Sequence, residues 1–193
     1  MAETQGTQGK YRPRFTLYKA NGKGTGGAMQ LELHPAHDQT DGSIWMKMAR
    51  QMTIGDRRGP TPVYPRFDWE NAITVKLDFS DLARMLQVFR GECEELEEGR
   101  GLFHASPVGS TKIVLRHLIG EIQGYSLEVY RTAAGSHAES QARVYLCPYE
   151  AIGIVAAIEG ALSVICFGIP MIVERDTSAY RQEAKGLRNA PAA

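Results

Sequence analysis

Hydrophobic and polar positions change period near the middle of the chain. Ile73, Val75 and Leu77 alternate with Thr74 and Lys76, which is the period of a strand with one buried face. From Ser80 onward Leu82, Met85, Leu86 and Phe89 recur at spacings of three and four, so they share one face of a short helix. Ser80 suits its N-cap, Asp81 the positive end of its dipole, and Gly91 its C-terminal stop. The same pattern returns at a constant offset of 69 residues, where Val144, Leu146, Glu150, Val155 and Ile158 take the roles of Val75, Leu77, Asp81, Leu86 and Phe89. Strand parity, helix start and apolar face stay in step, and room for several strands precedes each copy. The pattern predicts an α+β fold: a duplicated ββββα unit, giving two antiparallel four-stranded sheets packed with two helices.

Other alternations supply the remaining strands. In 14–20, Phe15 and Leu17 face one way and Arg14, Thr16 and Tyr18 the other; in 28–34, Met29, Leu31 and Leu33 point inward; in 44–49, Ile44, Met46 and Met48 oppose Trp45, Lys47 and Ala49. Segments 102–105, 113–119, 125–132 and 142–146 form the second set, separated by turns at 107–110, 120–124 and 133–140. The glutamate-rich run 92–98 reads as a solvated acidic loop. A final helix is predicted over Pro148–Phe167. Within 151–173 only Glu159 is charged, a length and composition that would satisfy a membrane span. Gly153, Gly160, Gly168 and Pro170, with Pro148 in the first turn, favour a soluble helix instead. A helix apolar nearly all round packs on a sheet with one side and on another subunit with the other. The expectation is a homo-oligomer joined through Ile154, Ile158 and Leu162, with no membrane.

Composition narrows the function. At 193 residues, 43% hydrophobic and 23% charged, the chain can bury one core, and its formal net charge of zero makes any basic surface a local one. Three cysteines without metal-ligand spacing, Cys93, Cys147 and Cys166, point to a reduced, cytoplasmic protein. Residues 1–10, rich in Gly, Gln and Thr, read as a disordered lead, 11–170 as the folded domain, and 171–193 as a mobile tail. Catalytic chemistry does not assemble: His34, His37, His104, His117 and His137 are scattered, and no Ser or Cys sits in a nucleophile motif. The acidic run lacks an ordered metal-binding pattern, and His34 and His37, spaced so that they could share a metal, flank Pro35 in a loop and read as exposed, so no catalytic residue, metal or cofactor is assigned. Segment 21–27 contains GxGxxG, but a strand follows where a dinucleotide fold needs a helix, and the segment reads as a flexible hairpin turn or as backbone that approaches another chain or a nucleic acid.

One surface carries chemistry. If the aliphatic sides of the first four strands are core, Trp45 and Lys47 stand outward near Tyr18, Thr16, Thr74 and Lys76, and Arg143 and Tyr145 stand outward on the second sheet. Aromatic rings interleaved with cations on a sheet supply base stacking and phosphate contacts together. A packing role for Trp45 at a sheet or subunit contact is the alternative.

The run Phe67-Asp68-Trp69, then Val75-Lys76-Leu77, Ser80-Asp81-Leu82 and Leu102-Phe103-His104, resembles the Whirly single-stranded DNA-binding proteins. The closing Val144-Tyr145-Leu146-Cys147-Pro148-Tyr149-Glu150-Ala151 is similar to that family's last strand and helix, and the resemblance spans about residues 11–168. The family's Lys-Gly-Lys-Ala turn appears here only as Lys19 and then Lys23-Gly24, with Ala28 later. The resemblance implies a tetramer whose helices meet centrally and which binds single strands between the sheets of adjacent subunits. It adds Lys19 and Lys23 to the expected nucleic-acid contacts. The expected function is binding of single-stranded DNA or RNA with low sequence specificity, in genome maintenance or transcription. The alternative is an assembly protein that uses the same sheet faces for protein partners.

Overall fold

The computed structural model of the chain describes residues 13–168 apart from 37–39, 57 and 137. The expected lead and tail, with His37, Arg57, His137 and Pro170, lie outside the described residues. Among these, eight strands and two α-helices follow one another: β1 (Arg14–Lys19), β2 (Gly27–His34), β3 (Ser43–Arg50), β4 (Ile73–Leu77), α1 (Phe79–Phe89), β5 (Leu102–Ser106), β6 (Gly109–Leu118), β7 (Gly124–Ala133), β8 (Glu139–Leu146) and α2 (Pro148–Phe167). Each set of four strands forms its own antiparallel sheet in chain order, β1-β2-β3-β4 (sheet 1) and β5-β6-β7-β8 (sheet 2). The chain thus adopts the duplicated ββββα architecture.

The inward positions of the alternating strands become the core. Met29, Met46 and Met48 of sheet 1 and Ile113, Leu115, Leu127 and Val129 of sheet 2 are each at most 1% exposed. α1 adds Leu82, Met85, Leu86 and Phe89, and its open C-terminal end is closed by the Tyr125 hydroxyl, which donates to the Phe89 carbonyl at 2.9 Å. Truncating a core leucine such as Leu127 to alanine costs about 2 to 5 kcal/mol. The sheets meet where β8 crosses the start of β2. A Cβ on Gly27 would lie 2.2 Å from the Arg143 carbonyl oxygen, so only glycine permits this approach.

Both helices start in the same way. α1 is capped by Asp78, not by Ser80 as expected: the Asp78 carboxylate accepts from the Asp81 amide at 2.9 Å, and the Asp81 carboxylate accepts from the Asp78 amide at 3.2 Å. Cys147 and Glu150 form the corresponding box at the head of α2, again 69 residues on. Each third-position carboxylate is then met by a basic side chain from the first strand of the other unit. His104 of β5 reaches Asp81 at 3.2 Å, and Lys19 of β1 reaches Glu150 at 2.8 Å.

Two expectations are corrected by packing. The acidic run is only partly solvated: Leu96 is buried, Glu95 pairs with Arg116 at 2.9 Å and Glu97 with Arg84 at 3.2 Å, tying the run to β6 and α1. The second correction concerns α2. Ile154 and Ile158 are 2% and 1% exposed on the stripe Ala151–Ile154–Ile158–Ala161–Ile165, which faces this chain's own core, and Leu162 is half-buried against the same core. Ile154 and Ile158 are therefore core residues, not contacts to another subunit. The exposed stripe carries Tyr149, Ile152 and Phe167, which are 70%, 71% and 87% exposed.

Candidate nucleic-acid interface

The outer face of sheet 1 follows from strand register. One row crosses all four strands as Arg14, Glu32, Trp45 and Lys76, and the next as Thr16, Gln30, Lys47 and Thr74. Trp45, Lys47 and Lys76 thus stand together as the parity predicts, with both lysines exposed and the indole 38% exposed. His34 stacks on the Trp45 ring with centroids 5.5 Å apart and planes 27° from parallel, and its Nε2 lies 2.9 Å from the Glu32 carboxylate. One side of the indole is thereby fixed.

Tyr18, 60% exposed, stands opposite Ala28 at the other end of the face. Its ring lies 5.4 Å from Phe67 and edge-on to Trp69 at 6.3 Å. Phe67 and Trp69 return to the sheet because Phe67 bridges to Gln51 and the Asp68 amide donates to the Arg50 carbonyl at 2.8 Å. Ala28 and Ala49 point outward yet are at most 1% exposed, and their small side chains leave room for rings to lie down on this end of the sheet. Sequence periodicity places neither Phe67 nor Trp69 on this surface, because both follow a turn-rich connector without strand alternation.

The Gly-rich turn is pinned. The Asn21 side-chain oxygen accepts from the Lys23 and Thr25 amides at 3.0 and 3.1 Å. Buried Gln51 accepts from the Asn21 and Gly26 amides and donates to the Asn21 carbonyl, and Gly24 adopts a φ of 71°. Lys23 is held outward and exposed at its tip. Lys19 is not on this surface. Its parity is inward, with Phe15 and Leu17, and its ammonium lies 2.8 and 3.0 Å from the two Glu150 carboxylate oxygens. Burial pushes the Lys19 amine down in pKa, but the hydrogen bond and charge of Glu150 outweigh this and hold it above its usual value. Burial likewise pushes Glu150 up, and Lys19 with the Cys147 amide brings its carboxyl below the usual range.

Sheet 2 differs in charge. Its outer rows run Phe103, Lys112, Tyr130, Gln141; then Val114, Glu128, Arg143; then Arg116, Ser126, Tyr145. Glu128, buried in the middle, accepts from Tyr130, Ser126 and Gln141, with Arg116 at 3.7 Å. Burial pushes its carboxyl up, and those bonds together with the charge of Arg143 outweigh it and hold it below the usual range. Arg143 is exposed, whereas Tyr145 is half-buried with its hydroxyl donating to the Gln123 carbonyl. Among the described residues, no three His, Cys, Asp or Glu side chains converge as a metal site.

No family model and no curated protein sequence matches the chain. Solved structures do. WHY3 of Arabidopsis thaliana aligns with a TM-score of 0.64 at 12% identity, covering 93% of this chain and 98% of that one. WHY1 of the same plant aligns at 0.60 and 10%, covering 95% and 98%. The plant transcriptional regulator PBF-2 aligns at 0.56 and 10%, covering 95% and 92%. Over nearly its full described length, then, the chain has the Whirly-like fold.

Proposed function

We propose that this protein binds single-stranded DNA or RNA with little sequence preference through the outer face of sheet 1, and that it acts in genome maintenance or transcription. The carrying observation is the setting of Trp45, an exposed indole braced by His34, with Lys76 opposite it and Lys47 two positions along the strand. An indole stacks on any unpaired base, worth about 1 to 3 kcal/mol per base, and neighbouring ammonium groups neutralise phosphates regardless of sequence. The Tyr18–Phe67–Trp69 cluster extends the same platform. The likeness of fold to a plant transcriptional regulator supports the role in transcription.

The proposed assembly is a homo-oligomer, a tetramer in our reading, formed on the exposed stripe of α2. Tyr149, Ile152 and Phe167 on one helix form an apolar surface that association would cover. α2 is long and apolar enough to cross a bilayer, but its core stripe completes the domain, so our reading includes no membrane. Our reading keeps the protein in the cytoplasm, where free thiols such as its three would stay reduced, and assigns it neither cofactor nor catalytic role.

A second reading, a structural protein whose sheets hold protein partners, is favoured by the acidic groups on the outer faces, Glu32 in the Trp45 row and Glu128 in sheet 2. Titration with labelled single-stranded DNA, RNA and duplex separates the two. Preference for single strands that is lost on Trp45→Ala supports nucleic-acid binding. Unchanged affinity in that variant, with the oligomer intact, supports the second reading.

A further inference from the structure

The inner face of sheet 1 is covered in its middle and open at one border. Met46 and Met48 on that face are at most 1% exposed, but Phe15 on β1 is 36% exposed, and Leu17 and Leu33 are half-buried. Between this border and α2 lies an apolar groove of about 320 Å3, lined by Phe15, Leu33 and Ile44 from the sheet and by Ala157, Gly160 and Ala161 from the helix. A Cβ on Gly160 would meet nothing within 4 Å, so the helix wall is open there. By helix spacing, Ala157 and Gly160 stand on the β1 side of the core stripe, a different flank of α2 from Ile152 on the stripe proposed for assembly.

The end of α2 decides which chain can reach this groove. The Val164 carbonyl accepts from the Gly168 amide at 3.0 Å and from the Ala36 amide at 3.2 Å, and the Ile165 carbonyl accepts from the Gly42 amide at 3.1 Å. The helix end is thereby tied to the connection between β2 and β3, next to the paired Leu33 and Ile44, so chain continuing past Gly168 starts at the groove's own end. The residues that follow, Ile169-Pro170-Met171-Ile172-Val173, are all apolar, and charge returns only at Glu174. Pro170 keeps this run from prolonging the helix. Gly160 lies about 12 Å before Gly168 along the helix axis, whereas residues 169–173 in extended form span about 16 Å, enough to return along the groove. The other end of the chain also meets the groove, since Pro13 lines it, but residues 1–12 are mostly Gly, Gln, Thr and charged residues and offer no apolar run.

We propose that residues 169–173 seat in this groove of their own subunit and complete the core beneath β1, removing Phe15 and the run itself from water. The test uses the full chain with Ile172 replaced by the photo-cross-linker p-benzoylphenylalanine. Irradiation should join position 172 to peptides of the same chain that carry Phe15, Leu33 or Ala157, and filling the groove from the helix side with Ala157→Trp should remove those links. Separately, Ile172→Asp should lower the melting temperature by about 2 to 4 °C, whereas Glu174→Gln, just beyond the run, should leave it unchanged. Circular dichroism checks that Ala157→Trp folds; if it does not, the links and the Ile172→Asp melting temperature still decide. Links recovered only in covalent dimers would put a neighbour's segment in the groove and overturn the seat within the subunit. Absence of links to any groove peptide, or a melting temperature for Ile172→Asp equal to that of the wild type, would overturn the proposal altogether.

Discussion

Lys19 and Lys47 stand on the same sheet and do opposite work, because strand parity sends one into the protein and the other into solvent. Lys19 locks the head of α2 through Glu150, as His104 meets Asp81 at the head of α1. Lys19→Met should therefore destabilise the fold by about 1 to 3 kcal/mol, measured by urea denaturation, and leave single-strand affinity unchanged. Lys47→Ala should do the reverse, keeping stability and lowering the salt slope of binding by about 0.7. The pH dependence follows from the same pair. The Glu150 carboxyl is held below its usual range, so its contribution is present above that range and lost as pH falls through the folded value. The Lys19 amine is held above its usual value, so its contribution is present below that value and lost as pH rises through the folded one. Stability from the pair should thus form a plateau between the two limbs, and Lys19→Met should flatten the acid limb. Asp81 has the opposite sign: burial raises it, against the Asp78 hydrogen bond and His104, so its contribution is lost as pH rises through the folded value.

Among the elements, α2 is the one that serves two surfaces. Ile154→Asp places a charge in the core and should unfold the domain, whereas Ile152→Asp on the exposed stripe should leave circular dichroism unchanged and split the oligomer in light scattering. The ends of this helix were legible because Pro148 can only open it and Gly168, at a φ of 74°, can only close it. The direction of its core stripe was not legible, since aliphatic side chains at Ile152, Ile154, Val155 and Ile158 leave no polar side to mark the outside. The strands read well for the converse reason: Met46 and Met48 alternate with Trp45 and Lys47, and one register shift would bury a lysine. Phe67 and Trp69 escaped because a bridge to Gln51, distant in sequence, brings them to the platform. Gly27 belongs to the same class. Nothing local demands glycine there, yet Gly27→Ala should cost about 1 to 3 kcal/mol by forcing β2 from β8, seen as a lower melting temperature.

At the scale of the whole molecule, the duplication is one of architecture and not of charge. Thr74 and Arg143 occupy equivalent places on the last strands, and opposite them stand Lys47 in sheet 1 and the buried Glu128 in sheet 2. One sheet thus offers a cation at its centre and the other a carboxylate already engaged by hydrogen bonds and Arg143, which is how a chain of zero net charge can keep a local basic platform. Assembly through α2 would repeat that platform once per subunit, so a long strand should bind more tightly than the sum of short pieces suggests. The central claim is that sheet 1 stacks unpaired bases on Trp45. Its most direct measurement is a fluorescence titration of the intact protein, wild type and Trp45→Ala, with a labelled single strand and its duplex at physiological salt. The account predicts preference for the single strand and about a tenfold loss in the variant; equal affinity for strand and duplex, or no change in the variant, would contradict it.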